Sequence, residues 1–308
     1  MNIEECGYRL FSVEEAEIYD KYASRMNGNI GATMQLANLI AWSHYTTVYY
    51  KEIYGFLNII VDEYETKALC GCMPMGDYTD KDNLAKAIED EIGAMEAQGC
   101  KTYLYPVKEW MLPYLDELEA FTFEYTNSIN DADYLYKLSD IDEDNRKSKK
   151  RYYYNFFISN FEPNIREYTA KDYQYCMQLI DESFCSRNEC EDCFLGCQKV
   201  AFKMLSEANL KTAHFLLIES KKYHKLLGYV VFIESEKEIL YIAKKSIREA
   251  RGFSEYVNRM LVDLYGADEG RYMNYEDDMG VSGIRMHKEQ LSPHMLSMNM
   301  SALVTRRN

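Results

Sequence analysis

Arg9-Leu10-Phe11-Ser12-Val13-Glu14-Glu15 is answered 157 residues later by Arg166-Glu167-Tyr168-Thr169-Ala170-Lys171-Asp172. Both copies read as Arg, any residue, aromatic, hydroxyl, two residues, carboxylate. A hydroxyl in this place caps an orphan backbone N–H, and a carboxylate three residues on favours the first turn of a helix. The spacing predicts one helix start at Ser12 and another at Thr169. Two copies, each near the start of one half of a 308-residue chain, predict a duplicated fold.

Outward from these starts, hydrophobic periodicity places the remaining elements. In the first half, 56–61 and 67–72 read as strands. Leu84, Ala87, Ile88, Ile92 and Met95 recur at helical spacing and stop at Gly99. Strands over 102–105 and 121–125 flank a helix around 109–119. In the second half one helix carries Cys176, Met177, Ile180 and Phe184, and another carries Cys197, Val200, Ala201, Met204 and Leu205. Strands follow over 214–219, 226–234 and 238–244, then a helix with Val257, Met260, Leu261 and Leu264, and a strand over 271–275. Helix, helix, three strands, helix, strand is the order of an N-acetyltransferase-type domain. The predicted fold class is mixed α/β, as two tandem acetyltransferase-like domains at 1–145 and 146–308.

Charge divides the chain at the same place. Residues 1–145 hold 10 basic and 28 acidic side chains, while 146–308 hold 25 and 22. The run Asp140-Ile141-Asp142-Glu143-Asp144-Asn145-Arg146-Lys147-Ser148-Lys149-Lys150-Arg151 switches from acid to base and predicts an exposed connection. A polyanionic ligand such as coenzyme A or an RNA acceptor stem is steered to the second half. No stretch approaches the roughly 18 apolar residues that span a bilayer. The acidic N-terminus lacks a secretion signal, and nine cysteines without one read as reduced thiols, so a cytoplasmic protein is expected. No G-x-S-x-G elbow, Walker-type loop or H-E-x-x-H pattern occurs, which argues against a serine hydrolase, a nucleotide triphosphatase and a zincin.

Two segments carry a family resemblance. One is Asp133-Tyr134-Leu135-Tyr136 with Lys149-Lys150-Arg151 and Asn155-Phe156. The other is Asn274-Tyr275-Glu276-Asp277-Asp278-Met279-Gly280-Val281-Ser282-Gly283-Ile284-Arg285-Met286-His287-Lys288, followed by Ser292-Pro293. With the Trp42 region and Pro74-Met75-Gly76-Asp77, they resemble the phosphatidylglycerol lysyltransferase C-terminal family over most of the chain. The resemblance implies a duplicated acetyltransferase-like fold with its active cleft between domains. It also implies transfer of an acyl or aminoacyl group to a small-molecule acceptor. Well-studied members take the group from tRNA to a lipid. Membrane-acting members carry a large transmembrane portion before this module and this chain shows none, so phosphatidylglycerol is not the expected acceptor.

The candidate chemistry concentrates in the second half. Arg248-Glu249-Ala250-Arg251-Gly252-Phe253-Ser254 lies where an acetyltransferase places its phosphate-binding turn, with Lys245, Arg248, Arg251 and Gly252 as candidates to hold the pyrophosphate of an acyl-coenzyme A. The single glycine is equally the mark of an ordinary basic turn, and it leaves an aminoacyl-tRNA as the alternative donor. Tyr275, Glu276 and Asp277 are the candidate catalytic residues: a carboxylate to hold an amine or act as general base, and a tyrosine to protonate the leaving group. Arg285 and Lys288 are candidate anion partners, and Asp133, Tyr134, Arg151 and Asn155 candidate binding residues of the bridging segment. An inter-element salt-bridge network explains Tyr275, Glu276, Asp277, Arg285 and Lys288 equally well, and a role in holding the two domains together is the alternative for the bridging-segment residues.

Cys185, Cys190, Cys193 and Cys197 give C-x4-C-x2-C-x3-C, a set able to collect zinc or an iron–sulfur cluster, although only one C-x2-C knuckle is present. A thiol-rich helix start in a reducing cytosol is the blander reading. Three functions therefore stay open: a transferase, a catalytically silent binding module for a small metabolite or protein, and a metal- or redox-responsive protein.

Overall fold

A computed structural model describes residues 3–63, 69–145, 148–182, 194–235, 238–266 and 271–307. The expected duplication is visible in the element order. Strand β1 (Arg9–Leu10) runs through a capped turn into helices α1 (Ala16–Ala23) and α2 (Leu36–Ala41). Strands β2 (Thr46–Ile53), β3 (Phe56–Glu63) and β4 (Leu69–Gly71) follow, then helix α3 (Lys81–Ala97) and strand β5 (Tyr103–Val107). Helix α4 (Leu112–Asp116), strands β6 (Phe121–Asn127) and β7 (Asp133–Lys137), and helices α5 (Leu138–Asn145) and α6 (Ser148–Phe161) complete the first pass. The second pass repeats it: β8 (Pro163–Glu167), a capped turn, α7 (Tyr173–Glu182), α8 (Phe194–Ala208), β9 (Ala213–Ser220), β10 (Lys225–Glu234), β11 (Glu238–Ser246), α9 (Phe253–Tyr265) and β12 (Tyr272–Asn274). Helix α10 (Ser282–Gln290) and strands β13 (Met295–Ser297) and β14 (Met300–Arg306) end the chain.

Both capping motifs form. The Ser12 N–H donates to the Glu15 carboxylate at 2.8 Å and the Thr169 N–H to the Asp172 carboxylate at 2.9 Å. Arg166 grips the same Asp172 through two nitrogens at 2.8 and 2.7 Å.

Each half builds a seven-stranded mixed sheet, ordered β1-β2-β3-β4-β5-β14-β6 and β13-β7-β12-β11-β10-β9-β8. The first four strands from one edge pair antiparallel, and the fourth then pairs parallel with the fifth, β4 with β5 and β11 with β12. The sixth position is filled by β14 from the chain's end in the first sheet and by β7 from its first half in the second. Each sheet thus borrows one strand from the other half of the sequence.

This exchange overturns the expected division at 145/146. The first compact unit is Met1–Asp133 with Asp277–Val281 and Ser297–Asn308, and the second is Tyr134–Glu276 with Ser282–Leu296. The expected exposed connection is likewise corrected, because 138–145 and 148–161 are helices. Leu138 and Ile141 are buried, as is Asp142, which pairs with Arg259 of α9. On α6, Phe157 and Phe161 enter the core against Phe253. The apolar spacing is masked in the sequence by the charged residues interleaved with it along the same two helices.

In the first unit the core gathers α3 onto the sheet through Leu84, Ile88, Ile92 and Met95 with Phe56, Ile60 and Leu104. In the second unit, α5, α6 and α9 cover one face of the sheet, and α7 with α8 cover the other.

Candidate functional site

In a mixed sheet, two parallel strands that diverge open a crevice at their carboxyl ends, and ligands bind there. The second unit has such a point. Strands β11 and β12 pair over only three residues, from Glu238↔Tyr272 to Leu240↔Asn274, and β11 continues past β12 to Ser246, paired with β10. The residues at the fork are Tyr241 on one side and Tyr275 on the other.

These two rings stack 4.5 Å apart at an interplanar angle of 10°, with Tyr136 edge-on to Tyr275 at 4.9 Å. Tyr275 is buried, and its hydroxyl donates to Asn258 Oδ1 of α9 at 2.9 Å. The Tyr241 hydroxyl is buried and has no hydrogen-bond partner. Burial pushes both phenols well above their ordinary pKa, so each stays a protonated donor at neutral pH.

A β-bulge decides what lies over the rings. Val231 pairs with Ala243 and Phe232 with Tyr241, which leaves Ile242 as an extra residue on β11. In a regular strand Tyr241 and Lys245 would share a face and Lys244 would point away. The bulge shifts that alternation. Ile242 and Ala243 both pack toward α7 and α8, and the Lys244 ammonium comes to 5.3 Å from the Tyr241 ring centre and 5.9 Å from that of Tyr275. Burial lowers the Lys244 pKa to about 8, against the opposing pull of the Glu255 carboxylate, and burial alone lowers Lys245 to about 8. His287 of α10 is pushed down by burial and then by the charges of Lys244, Lys288 and Lys150.

After β12 the chain turns sharply. Glu276 adopts a left-handed φ of +60°, with its N–H donating to Asn274 Oδ1 at 2.8 Å. Asn274 in turn donates to the buried Glu238 carboxylate. Lys288 is buried, and its ammonium donates to the carbonyls of Tyr275 at 2.5 Å and Glu276 at 3.1 Å while lying 5.4 Å from the Tyr134 ring. Among the expected anion partners, Lys288 therefore acts as a clamp on the backbone that carries the candidate catalytic pair. The Tyr134 N–H donates to the Glu276 carbonyl at 3.1 Å, so the two signature segments meet in this turn.

The phosphate-type turn is partly as expected. Gly252 has φ +90° and a Cβ there would come within 2.1 Å of the Tyr153 carbonyl oxygen, so α9 can begin against α6 only with glycine at its N-cap. Arg248 and Arg251 are exposed beside it, Arg251 over the Tyr153 ring at 5.7 Å. Arg285 is half-buried on α10, while Arg151 and Asn155 lie exposed on α6.

Asp133 and Asp277 fall in the first unit. Asp133 is fully buried: its carboxylate meets the Lys108 ammonium at 3.3 Å, the Ala32 N–H at 3.0 Å and Asn299 Nδ2 at 3.1 Å. Asp277 Oδ1 accepts the Met279 N–H at 2.9 Å. At the parallel pair of the first unit, β4 and β5 share the single pair Gly71↔Leu104, and a Cβ on Gly71 would meet Glu91, Leu104 and Met95 within 3.0 Å. Burial and then the neighbouring Asp90 push the Glu91 carboxyl well above its ordinary range. Among the described residues that fork is packed with side chains and offers no counterpart of the Tyr241–Tyr275 platform.

Cys185, Cys190 and Cys193 lie outside the described residues, as does the side chain of Cys197 on α8. Among the described residues no group of His, Cys, Asp and Glu could hold a metal, and no helix is long and apolar enough to cross a membrane. Lys244, Tyr241, Asn258 and Glu255 carry no mark in the sequence, while Lys150 and His287 stand in the family-like segments without being named as site residues.

The model of the phosphatidylglycerol lysyltransferase C-terminal family matches residues 28–298. Among solved structures, a conserved protein of unknown function from Bacteroides thetaiotaomicron is 18% identical with a TM-score of 0.78, over 97% of this chain and 99% of that one. L-PGS from Bacillus licheniformis is 13% identical with a TM-score of 0.62, over 93% and 91%. The C-terminal domain of a putative lysylphosphatidylglycerol synthetase from Agrobacterium fabrum is 11% identical with a TM-score of 0.59, over 100% and 92%. No curated protein matches the chain in sequence.

Proposed function

Because this chain belongs to the phosphatidylglycerol lysyltransferase C-terminal family, we propose that it is an acyl- or aminoacyl-transferase whose chemistry is done at the β11/β12 fork of the second unit. The observation that supports this most is the bulge at Ile242, which turns Lys244 onto the Tyr241–Tyr275 platform beside the candidate pair Tyr275 and Glu276. An amine or hydroxyl attacks the acyl carbon of the donor, forming a C–N or C–O bond and a tetrahedral oxyanion. The C–S or C–O bond to the leaving group then breaks. In this reading Glu276 holds the attacking amine and takes up its proton, and protonated Tyr275 gives one to the departing group. The Tyr241 hydroxyl and Lys244 supply electrostatic stabilisation. The protein positions the reactants and forms no covalent intermediate. Lys245, Arg248, Arg251 and the Gly252 turn hold the donor, an acyl-coenzyme A or an aminoacyl-tRNA, and Arg285 an anionic part of donor or acceptor. We place the reaction in the cytoplasm, with a small molecule as acceptor.

Thermal-shift titration of the reduced protein with acetyl-coenzyme A, coenzyme A and a mixed aminoacyl-tRNA pool tests the reading. Saturating donor at 100 times its Kd stabilises the fold by about 2.7 kcal/mol. A shift with one donor selects the chemistry. Flat curves with all of them favour a silent binding module on the same fold.

A further inference from the structure

Basic side chains gather at the fork. Lys244 comes from β11, Lys150 from α6, and His287 and Lys288 from α10, and the Glu255 carboxylate on α9 acts on Lys244, Lys150 and His287 alike. Lys288 spends its ammonium on two backbone carbonyls. Lys244 instead has two aromatic faces beneath it, which attract a cation but satisfy none of its three hydrogen-bond donors. The Tyr241 hydroxyl is buried on the same platform and has no hydrogen-bond partner. A buried donor left without an acceptor is destabilising. An oxyanion relieves both penalties, accepting from the ammonium and the phenol together.

From this we infer that the β11/β12 fork is a binding site for a compact oxyanion, carried by a carboxylate- or phosphate-bearing ligand, with Lys244 and the Tyr241 hydroxyl as its principal partners. The bulge at Ile242 is the device that makes the site, because without it Lys244 would lie on the opposite face of the sheet from Tyr241. This rests on placing the transferase chemistry at the fork and adds to it a ligand class: one reactant carries its anion close to the reacting carbon, rather than only on a distant pyrophosphate.

Calorimetric titration with sodium phosphate and, separately, with sodium acetate at constant ionic strength tests the inference. The wild-type chain is expected to bind at least one of them saturably. Lys244→Met should weaken that binding at least tenfold, and Tyr241→Phe severalfold. Lys222→Met, which removes an exposed lysine on the turn between β9 and β10, should leave it within twofold. Saturation by phosphate alone assigns a phosphoryl ligand, and saturation by acetate a carboxylate. No saturation with either anion, or equal binding by a folded Lys244→Met chain, overturns the inference. Anion binding without discharge of any donor would sink the transferase reading and leave this one standing. Donor discharge by Lys244→Met at the wild-type rate, with neither anion competing, would do the reverse.

Discussion

Asp133 shows how one residue can be legible as important and misleading about why. The family-like segment Asp133-Tyr134-Leu135-Tyr136 marks it as a binding candidate, but its carboxylate is enclosed and occupied by Lys108, Ala32 and Asn299. Lys108 also donates to Ser297 Oγ at 3.1 Å, so one ion pair ties together four separate stretches of chain within the first unit. Breaking a buried pair from one side strands the other charge, which costs about 3–5 kcal/mol. Asp133→Ala is therefore expected to lose that much stability in urea denaturation. A variant as stable as the wild type but unable to bind donor would restore Asp133 to the site. Tyr275 is the opposite case: its place at a strand end was readable, while its partners Tyr241 and Asn258 reach it through tertiary structure and carry no mark in the sequence.

At the scale of the element, local rules were good guides wherever one face is apolar. The strand positions of β3, β9, β10 and β11 and the helices α3 and α9 follow period and capping. They failed where charge masked the face, as on α5 and α6, and where an extra residue broke the period, as at Ile242. No propensity rule locates a bulge, because its cause lies in the partner strand. The capping motifs make a direct prediction. Thr169→Ala removes the hydroxyl of a box that Asp172 closes, and should cost about 1 kcal/mol. Hydrogen bonding to Arg166 holds the Asp172 carboxyl well below its ordinary range. Its contribution is present above about pH 4, the unfolded value, and is lost as the pH falls further. Chemical denaturation at pH 7 and at pH 3 measures both effects. An unchanged midpoint at pH 7 would remove the box from the account of why the helix starts there.

At the scale of the whole molecule, the repeated order of elements was read from two short motifs, but the exchange of strands was not. Strands β14 and β7 each sit in the sheet built mainly by the other half, and sequence carries no sign of pairings across more than 130 residues. The exchange predicts that 1–145 and 146–308 are not independent folding units. Fragment 1–145 lacks β14 between β5 and β6, and fragment 146–308 lacks β7 between β12 and β13. Expressed alone, each should give the dispersion-poor spectrum of an unfolded chain, while co-expression should restore a complex. A cooperatively folded single fragment would contradict this. On the same scale, the packed fork of the first unit against the platform of the second supports the proposal that the chemistry is done in one half of the duplication. The measurement that tests this most directly is discharge of labelled acetyl-coenzyme A and of labelled aminoacyl-tRNA with hydroxylamine as a surrogate acceptor, for the wild type, Tyr275→Phe and Lys244→Met. The account predicts hydroxamate formation above background with one donor, falling at least tenfold in each variant. Background rates with every donor, or full activity in both folded variants, would contradict it.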